Sequence, residues 1–250
     1  LDFASDAAAA IAFLETRAEI DPARTGIIGH SEGGIIAPLA ATRFDGVDFL
    51  VLLAAPGLPG EQILYLQAAA IMRANGASEA AITANREIQE TVFRIVREED
   101  DADARRTRLR QALRHDLSDH LRRIGIPADD REAFIEGQVS GASSDWFRFF
   151  IEFDPRPTLQ EVRVPILAIW GDKDLQIPSD VNLAAVRSAL EAGGHTDFTL
   201  REVAGLNHLF QTARTGSPAE YGTIAETFSP PVLEIITDWI LQTVGAAPRS

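Results

Sequence analysis

Helical and strand-like hydrophobic patterns alternate along the N-terminal part of the chain. Apolar residues recur at spacings of three and four over residues 1–17, which predicts an amphipathic helix that ends before Asp21-Pro22. A short apolar strand is predicted over residues 24–28, and a glycine-rich turn connects it to a second helix over residues 35–44. The order strand, tight turn, helix is therefore expected directly after the first helix.

Two later segments, residues 49–55 and 165–171, are continuously apolar and suit strands that are buried on both faces. A weaker strand with alternating polarity is predicted over residues 198–203, and a helix with one apolar face over residues 231–244. Strands that are separated by helices predict an α/β fold with a mostly parallel sheet.

A long segment between the two apolar runs has helical periodicity and no convincing strand. It far exceeds an ordinary connection between a strand and a helix. We therefore predict an inserted helical cap over residues 58–164, with residues 1–57 and 165–250 forming the α/β core. Within this cap, an acidic block precedes a basic block over residues 97–114. The pattern favours a solvated joint between helices with charge pairs four residues apart, and a partner-docking face is the alternative.

Composition narrows the classes of function. The chain has 250 residues, 46% of them hydrophobic, which is enough to bury a full core. Its 23 Lys and Arg against 37 Asp and Glu give a net charge of −14, so nucleic acid and anionic membrane surfaces should be repelled. The absence of cysteine excludes disulfides and thiolate nucleophiles and leaves the compartment unassigned. No apolar stretch is long enough for a membrane span.

A candidate nucleophile lies in the predicted strand–turn–helix unit. Gly29-x-Ser31-x-Gly33 matches the nucleophile elbow, in which a sharp turn exposes a serine at the end of a strand. The flanking glycines are expected to let the backbone close up around this turn. The backbone N–H of Glu32, at the start of the following helix, is the expected donor to an oxyanion.

A serine nucleophile on such a fold needs a carboxylate and a histidine, in that chain order. The predicted strand over residues 165–171 leads into Asp172 and Asp174, and we select Asp174 because it lies three residues beyond the closing glycine. His208 follows the predicted strand over residues 198–203, whereas His195 precedes that strand and should lie at the wrong end of the sheet.

Metal and cofactor motifs are missing. The sequence has no His-Glu-x-x-His pattern, no paired ligand spacing and no phosphate-binding glycine loop with its lysine. We therefore expect no cofactor and no metal.

Several segments together resemble the α/β-hydrolase superfamily, and more narrowly the bacterial serine esterases whose elbow reads GHSEGG. The resemblance covers most of the chain and is carried by Asp2-Phe3, Asp6-Ala7, Gly29 to Pro38, Leu52 to Gly57, Asp154-Pro155, Gly171 to Pro178 and Asn207 to Gln211. It implies Ser31 as nucleophile, His208 as base and Asp174 as acid. It also implies hydrolysis of short-chain carboxylic esters beneath a helical cap.

The resemblance departs at the front of the chain. The family's sheet has about eight strands with the elbow after the fifth, whereas the residues before Ser31 have room for one helix and one strand. We expect a fold that lacks its N-terminal strands and the loop that supplies a second oxyanion N–H. The strand over residues 24–28 would then lie at an open edge and pair with a missing N-terminal segment or with a second copy of the chain.

The expected partner is a small-molecule ester. Trp146 and Phe210 are candidates to line the acyl or alcohol pocket, together with neighbouring phenylalanines at positions 147, 149 and 150. A serine peptidase or acyltransferase with the same triad is one alternative, and a catalytically silent scaffold is another.

Overall fold

The computed structural model describes residues 2–123 and 127–245. The chain divides into two compact units. One unit, here called the sheet unit, contains residues 1–58 and 154–250, and the other, the helical unit, contains residues 59–153.

The sheet unit is built on parallel strands in the order β1-β2-β3-β4. Their bounds are β1 Gly26–His30, β2 Phe49–Leu53, β3 Ile166–Gly171 and β4 Phe198–Val203. Each neighbouring pair is parallel and in continuous register, for example Ile28 opposite Val51. The predicted α/β class and parallel sheet are therefore confirmed.

The α-helices of the described residues are α1 Asp2–Glu15, α2 Gly33–Arg43, α3 Gly60–Ala74, α4 Glu79–Glu98, α5 Ala102–Arg123, α6 Ala128–Ala142, α7 Asp145–Glu152, α8 Pro155–Glu161, α9 Ser179–Ala192 and α10 Pro230–Thr243. None of these helices is both long and apolar enough to cross a lipid bilayer. The helices and strands predicted in the sheet unit agree with the observed ones to within a few residues.

The core of the sheet unit lies around the two central strands. Every residue of β2 and β3 is buried, as their unbroken apolar sequences predicted. Helix α10 packs its apolar face on this sheet, where the rings of Trp239 and Phe49 meet edge to face at 6.0 Å. In the described sheet β1 pairs with β2 alone, and Ile28 on β1 is exposed. The strand that precedes the candidate serine thus lies at a sheet edge.

The second boundary between the units differs from the predicted one. The structure assigns α8 to the sheet unit, whereas the sequence placed residues 155–161 in the cap. Asp154 caps α8 by accepting the N–H of Arg156 at 3.0 Å, and Leu159 is buried as α8 packs against α2 and α9. Helical periodicity alone could not assign α8, because a helix shows the same pattern against either unit.

The helical unit consists of α3 to α7, with no strand in its described part. The interpretation of residues 97–114 as a solvated joint is wrong for Arg105, whose side chain is 1% exposed. The other arginines of α5 mostly pair with residues distant in sequence, as in the bond from Arg110 to Glu136 on α6 at 2.8 Å. Pairing between helices therefore dominates over pairing within one helix.

Candidate active site

The candidate nucleophile lies at the carboxyl end of β1, on a strained turn. Ser31 has a positive φ of 55°, a conformation that is uncommon for residues other than glycine. Its N–H donates to the carbonyl of Leu53 at 2.8 Å, and its own carbonyl accepts the N–H of Gly34 at 2.8 Å. These bonds hold the turn between β2 and the start of α2, the geometry that a nucleophile elbow requires.

The glycines around Ser31 do not all serve the same purpose. A Cβ at Gly29 would collide with the backbone carbonyl of Gly33, and a Cβ at Gly34 would collide with Ala55 on the neighbouring segment. A Cβ at Gly33 would meet nothing. The close approach that the motif predicted therefore depends on Gly29 and Gly34, not on Gly33.

This asymmetry gives a test with a matched control. Gly29→Ala should lower the free energy of unfolding by roughly 1–3 kcal/mol or more, because the backbone cannot move apart without opening the turn. Gly33→Ala adds the same methyl group at the start of α2 and should change stability by less than about 0.5 kcal/mol. Urea unfolding followed by circular dichroism measures both. Equal losses in the two variants would contradict the geometry.

The candidate acid lies just beyond the carboxyl end of β3. Asp174 is buried, and its Oδ1 accepts the N–H groups of Gln176 at 2.8 Å and Ile177 at 2.9 Å. Its Oδ2 accepts a hydrogen bond from His208 Nδ1 at 2.8 Å. Asp172 instead binds the N–H of Gly205 at 2.6 Å. Of the two acids that the sequence offered, Asp174 is the one that holds the histidine.

A polar turn positions His208 beyond β4. Asn207 is fully buried, and its side-chain oxygen accepts the N–H groups of Leu209 and Gln211, both at 3.0 Å. Its amide nitrogen donates to the side chain of Gln211 at 2.9 Å. Phe210 follows with a positive φ of 58°. The histidine is thus fixed by contacts that sequence analysis missed, although an Asn side chain in a loop often accepts the backbone N–H two residues on, as Asn207 does from Leu209.

His30 connects the elbow to the histidine loop. Its Nε2 donates to the carbonyl of His208 at 2.8 Å, and the two imidazole rings lie 4.7 Å apart. The pKa of His30 is lowered, chiefly because its ring is desolvated against this loop. His30 therefore packs against the loop that carries His208.

The hydrogen bonds of His208 and His195 define which ring nitrogen of each imidazole carries the proton. A bond from Nδ1–H of His208 to Asp174 leaves Nε2 as the basic nitrogen of the neutral ring. His195 uses both nitrogens structurally, because Nε2 donates to Val164 at 2.9 Å and Nδ1 accepts the N–H of Asp197 at 3.1 Å. His195 therefore stabilises the connection between α9 and β4.

The structure brings Ser31, Asp174 and His208 to the same end of the sheet, because the carboxyl ends of the parallel strands all lie there. Among the described residues no hydrogen bond joins Ser31 Oγ to His208. Such bonds are often long without substrate and tighten when substrate binds. Glu32, the predicted oxyanion donor, immediately precedes α2 and has helical backbone angles.

The two weaker site candidates occupy different surroundings. Phe210 is 0% exposed and stacks on Phe228 at 5.3 Å, so its ring fills the interior of the sheet unit. Trp146 belongs to α7 of the helical unit, stacks on Phe150 and is 45% exposed. The buried ring of Phe210 is thus less accessible to a substrate than the ring of Trp146. Within the described ranges no three His, Cys, Asp or Glu side chains could hold a metal ion together.

Comparison with known proteins gives several matches. Esterase EstD of Thermotoga maritima is 24% identical over 217 residues, which are 86% of this chain and 42% of the relative. The chain thus spans less than half the length of that curated protein. Among solved structures, a puromycin-hydrolyzing peptidase of Mycobacterium tuberculosis has a TM-score of 0.49 and 18% identity, covering 99% of this chain and 26% of that one. The putative non-heme bromoperoxidase BpoC from Mycobacterium tuberculosis H37Rv has a TM-score of 0.46 and 14% identity, covering 96% and 73%.

A family model gives the decisive match. The model described as the alpha/beta hydrolase family matches residues 1–221, which include all of β1 to β4 and each candidate site residue. The parallel sheet and the turn at Ser31 agree with that assignment. The chain belongs to the alpha/beta hydrolase family.

Proposed function

We propose that the chain is a serine hydrolase that cleaves short-chain carboxylic esters through an acyl-enzyme on Ser31. The observation that carries the proposal is the buried 2.8 Å hydrogen bond between His208 and Asp174. It lies at the carboxyl ends of the strands, where the Ser31 turn also lies. An oriented imidazole beside a serine on a strained elbow is the arrangement that acyl transfer uses. The name of the relative EstD, an esterase, supports the choice of ester bonds.

The proposed reaction begins with proton transfer from Ser31. His208 Nε2 takes the hydroxyl proton as Oγ bonds to the ester carbonyl carbon. The N–H of Glu32, at the N-terminal end of α2, donates to the carbonyl oxygen as it becomes negative. The tetrahedral intermediate then expels the alcohol, which receives the proton from His208, and Ser31 remains acylated.

Water completes the proposed cycle. His208 Nε2 takes a proton from water as its oxygen attacks the acyl carbon, and Ser31 leaves with that proton while the carboxylic acid is released. Asp174 stays ionised throughout. It holds His208 in the form with the proton on Nδ1 and stabilises the imidazolium that forms twice in the cycle.

Stoichiometric labelling tests this proposal. A p-nitrophenyl phosphonate should add one phosphonyl group per chain, and peptide mass spectrometry should find it on Ser31. Ser31→Ala should take up none, whereas Ser140→Ala, at an exposed serine on α6, should label like the parent chain. The same two variants assayed with p-nitrophenyl acetate and with a peptide p-nitroanilide would separate esterase from peptidase activity. An unlabelled parent chain would favour the silent scaffold and refute the proposed hydrolase.

A further inference from the structure

An open cavity of about 430 Å³ lies at the surface of the helical unit, where α3 to α7 all contribute residues. This volume falls within the usual range of small-molecule pockets, about 300–1,000 Å³. Several of its lining residues, among them Gly137 and Gly141, are exposed, so the cavity is accessible from solvent.

The lining of the cavity is uncharged. Apolar and aromatic side chains such as Ile88 and Phe93 make up most of it, and the side-chain amides of Asn85, Gln89 and Gln138 add polar groups. No Asp, Glu, Lys or Arg is among the lining residues, all of which belong to the described part of the chain. An apolar wall with a few amides suits an uncharged ligand that carries a carbonyl or hydroxyl group.

Two glycines of α6 keep space in this cavity. Gly137 and Gly141 are four residues apart and therefore share one face of the helix, and both line the cavity. A Cβ at either position would meet no atom within 4 Å. Glycine inside a helix is about 1 kcal/mol less favourable than alanine. No close contact within the folded chain requires these glycines, and both are exposed residues of the cavity lining.

Exposed aromatic rings border the same cavity. Phe134 is 46% exposed and Trp146 is 45% exposed, and both belong to its lining. Water contacts large apolar side chains here in a unit whose outer surface otherwise carries arginine–glutamate pairs, such as Arg114 with Glu132. Exposed apolar surface that is rimmed by charge often marks a binding site.

We propose that the helical unit binds an uncharged small molecule with an apolar chain in this cavity. Gly137 and Gly141 leave room for the chain, the aromatic rings pack against it, and the amides hydrogen-bond its polar end. The sequence predicted Trp146 as part of an acyl or alcohol pocket, and its position in this lining fits such a ligand. The proposal does not depend on catalysis by Ser31.

Fluorescence of the neutral dye N-phenyl-1-naphthylamine tests the proposal on the full chain. The dye should bind saturably with one site per chain. Gly137→Leu and Gly141→Leu fill the open space and should each weaken dye binding by about tenfold or more. Ser140→Leu adds the same side chain at an exposed position of α6 that does not line the cavity, and it should leave the affinity unchanged.

Thermal unfolding makes the test specific. Because leucine is a better helix former than glycine and a Cβ at either position meets no atom within 4 Å, both cavity variants should unfold at the same temperature as the parent chain or higher. The absence of saturable binding, or equal affinity in Gly137→Leu and Ser140→Leu, would overturn the proposal. Since dye binding is read without turnover, its failure is distinguishable from failure of the esterase proposal.

Competition identifies the kind of ligand. 1-Decanol should displace the dye and decanoate should not, because a carboxylate would enter an uncharged pocket without a counter-charge. Displacement by decanoate as strongly as by 1-decanol would overturn the assignment of an uncharged ligand. Competitive inhibition of p-nitrophenyl ester hydrolysis by 1-decanol would identify the ligand as the substrate's own chain, and undisturbed hydrolysis would identify a separate molecule.

Discussion

Asp174→Asn should lower kcat/KM for p-nitrophenyl acetate by about 10⁴-fold while the fold stays intact. The asparagine oxygen can still accept the two backbone N–H groups that Asp174 accepts, from Gln176 and Ile177. Its amide nitrogen, however, donates to His208 Nδ1 and so favours the imidazole form with the proton on Nε2. In that tautomer Nε2 carries the proton and has no lone pair with which to accept the Ser31 proton.

Asp172 supplies the matched control two residues away. Asp172→Asn keeps an oxygen that can accept the N–H of Gly205, whereas the hydrogen bond of His208 Nδ1 goes to Asp174. Its kcat/KM should fall by less than about threefold, since surface substitutions of this kind are nearly neutral. Steady-state kinetics and the rate of phosphonate labelling measure both variants. A similar loss in the two variants, or unchanged labelling in Asp174→Asn, would mean that Asp174 does not orient the base.

The sequence predicted the position of each candidate site residue better than the contacts that hold it. Ser31 and Asp174 follow uninterrupted apolar runs, and parallel strands bring such positions to one edge of a sheet whatever the intervening loops do. His208 could be selected by chain order. The bond from His30 to the carbonyl of His208 joins residues far apart in the chain, so no local pattern indicates it.

Charge patterning shows a second limit of sequence analysis. A run of arginines on a helix indicates a polar surface, and for most of α5 this interpretation holds, since Arg108 pairs with exposed or half-exposed Glu98 and Glu99. It fails for Arg105, because burial of one member of such a run depends on which helices surround it. An arginine in this run therefore lies at the surface at one position and in the interior at another.

Arg105 joins three parts of the helical unit. Its guanidinium donates twice to the carbonyl of Ser143, at 3.1 and 2.9 Å, where α6 ends. It also donates to the carbonyl of Glu99 at 3.1 Å, before α5, and to Asp145 Oδ1 at 2.8 Å, at the start of α7. A planar group with five N–H donors suits this arrangement of diverging acceptors.

Arg105→Met should lower the free energy of unfolding of the helical unit by about 1–3 kcal/mol. Methionine has a similar length but leaves the buried carbonyl of Ser143 without the two N–H donors it now has. Arg105→Lys keeps the charge, cannot reach diverging acceptors with a planar fork, and should lose an intermediate amount. Arg106→Met, at the exposed neighbouring position, should cost less than about 0.5 kcal/mol. Urea unfolding by circular dichroism ranks the variants. Equal stability of Arg105→Met and Arg106→Met would show that the buried guanidinium is replaceable by apolar packing.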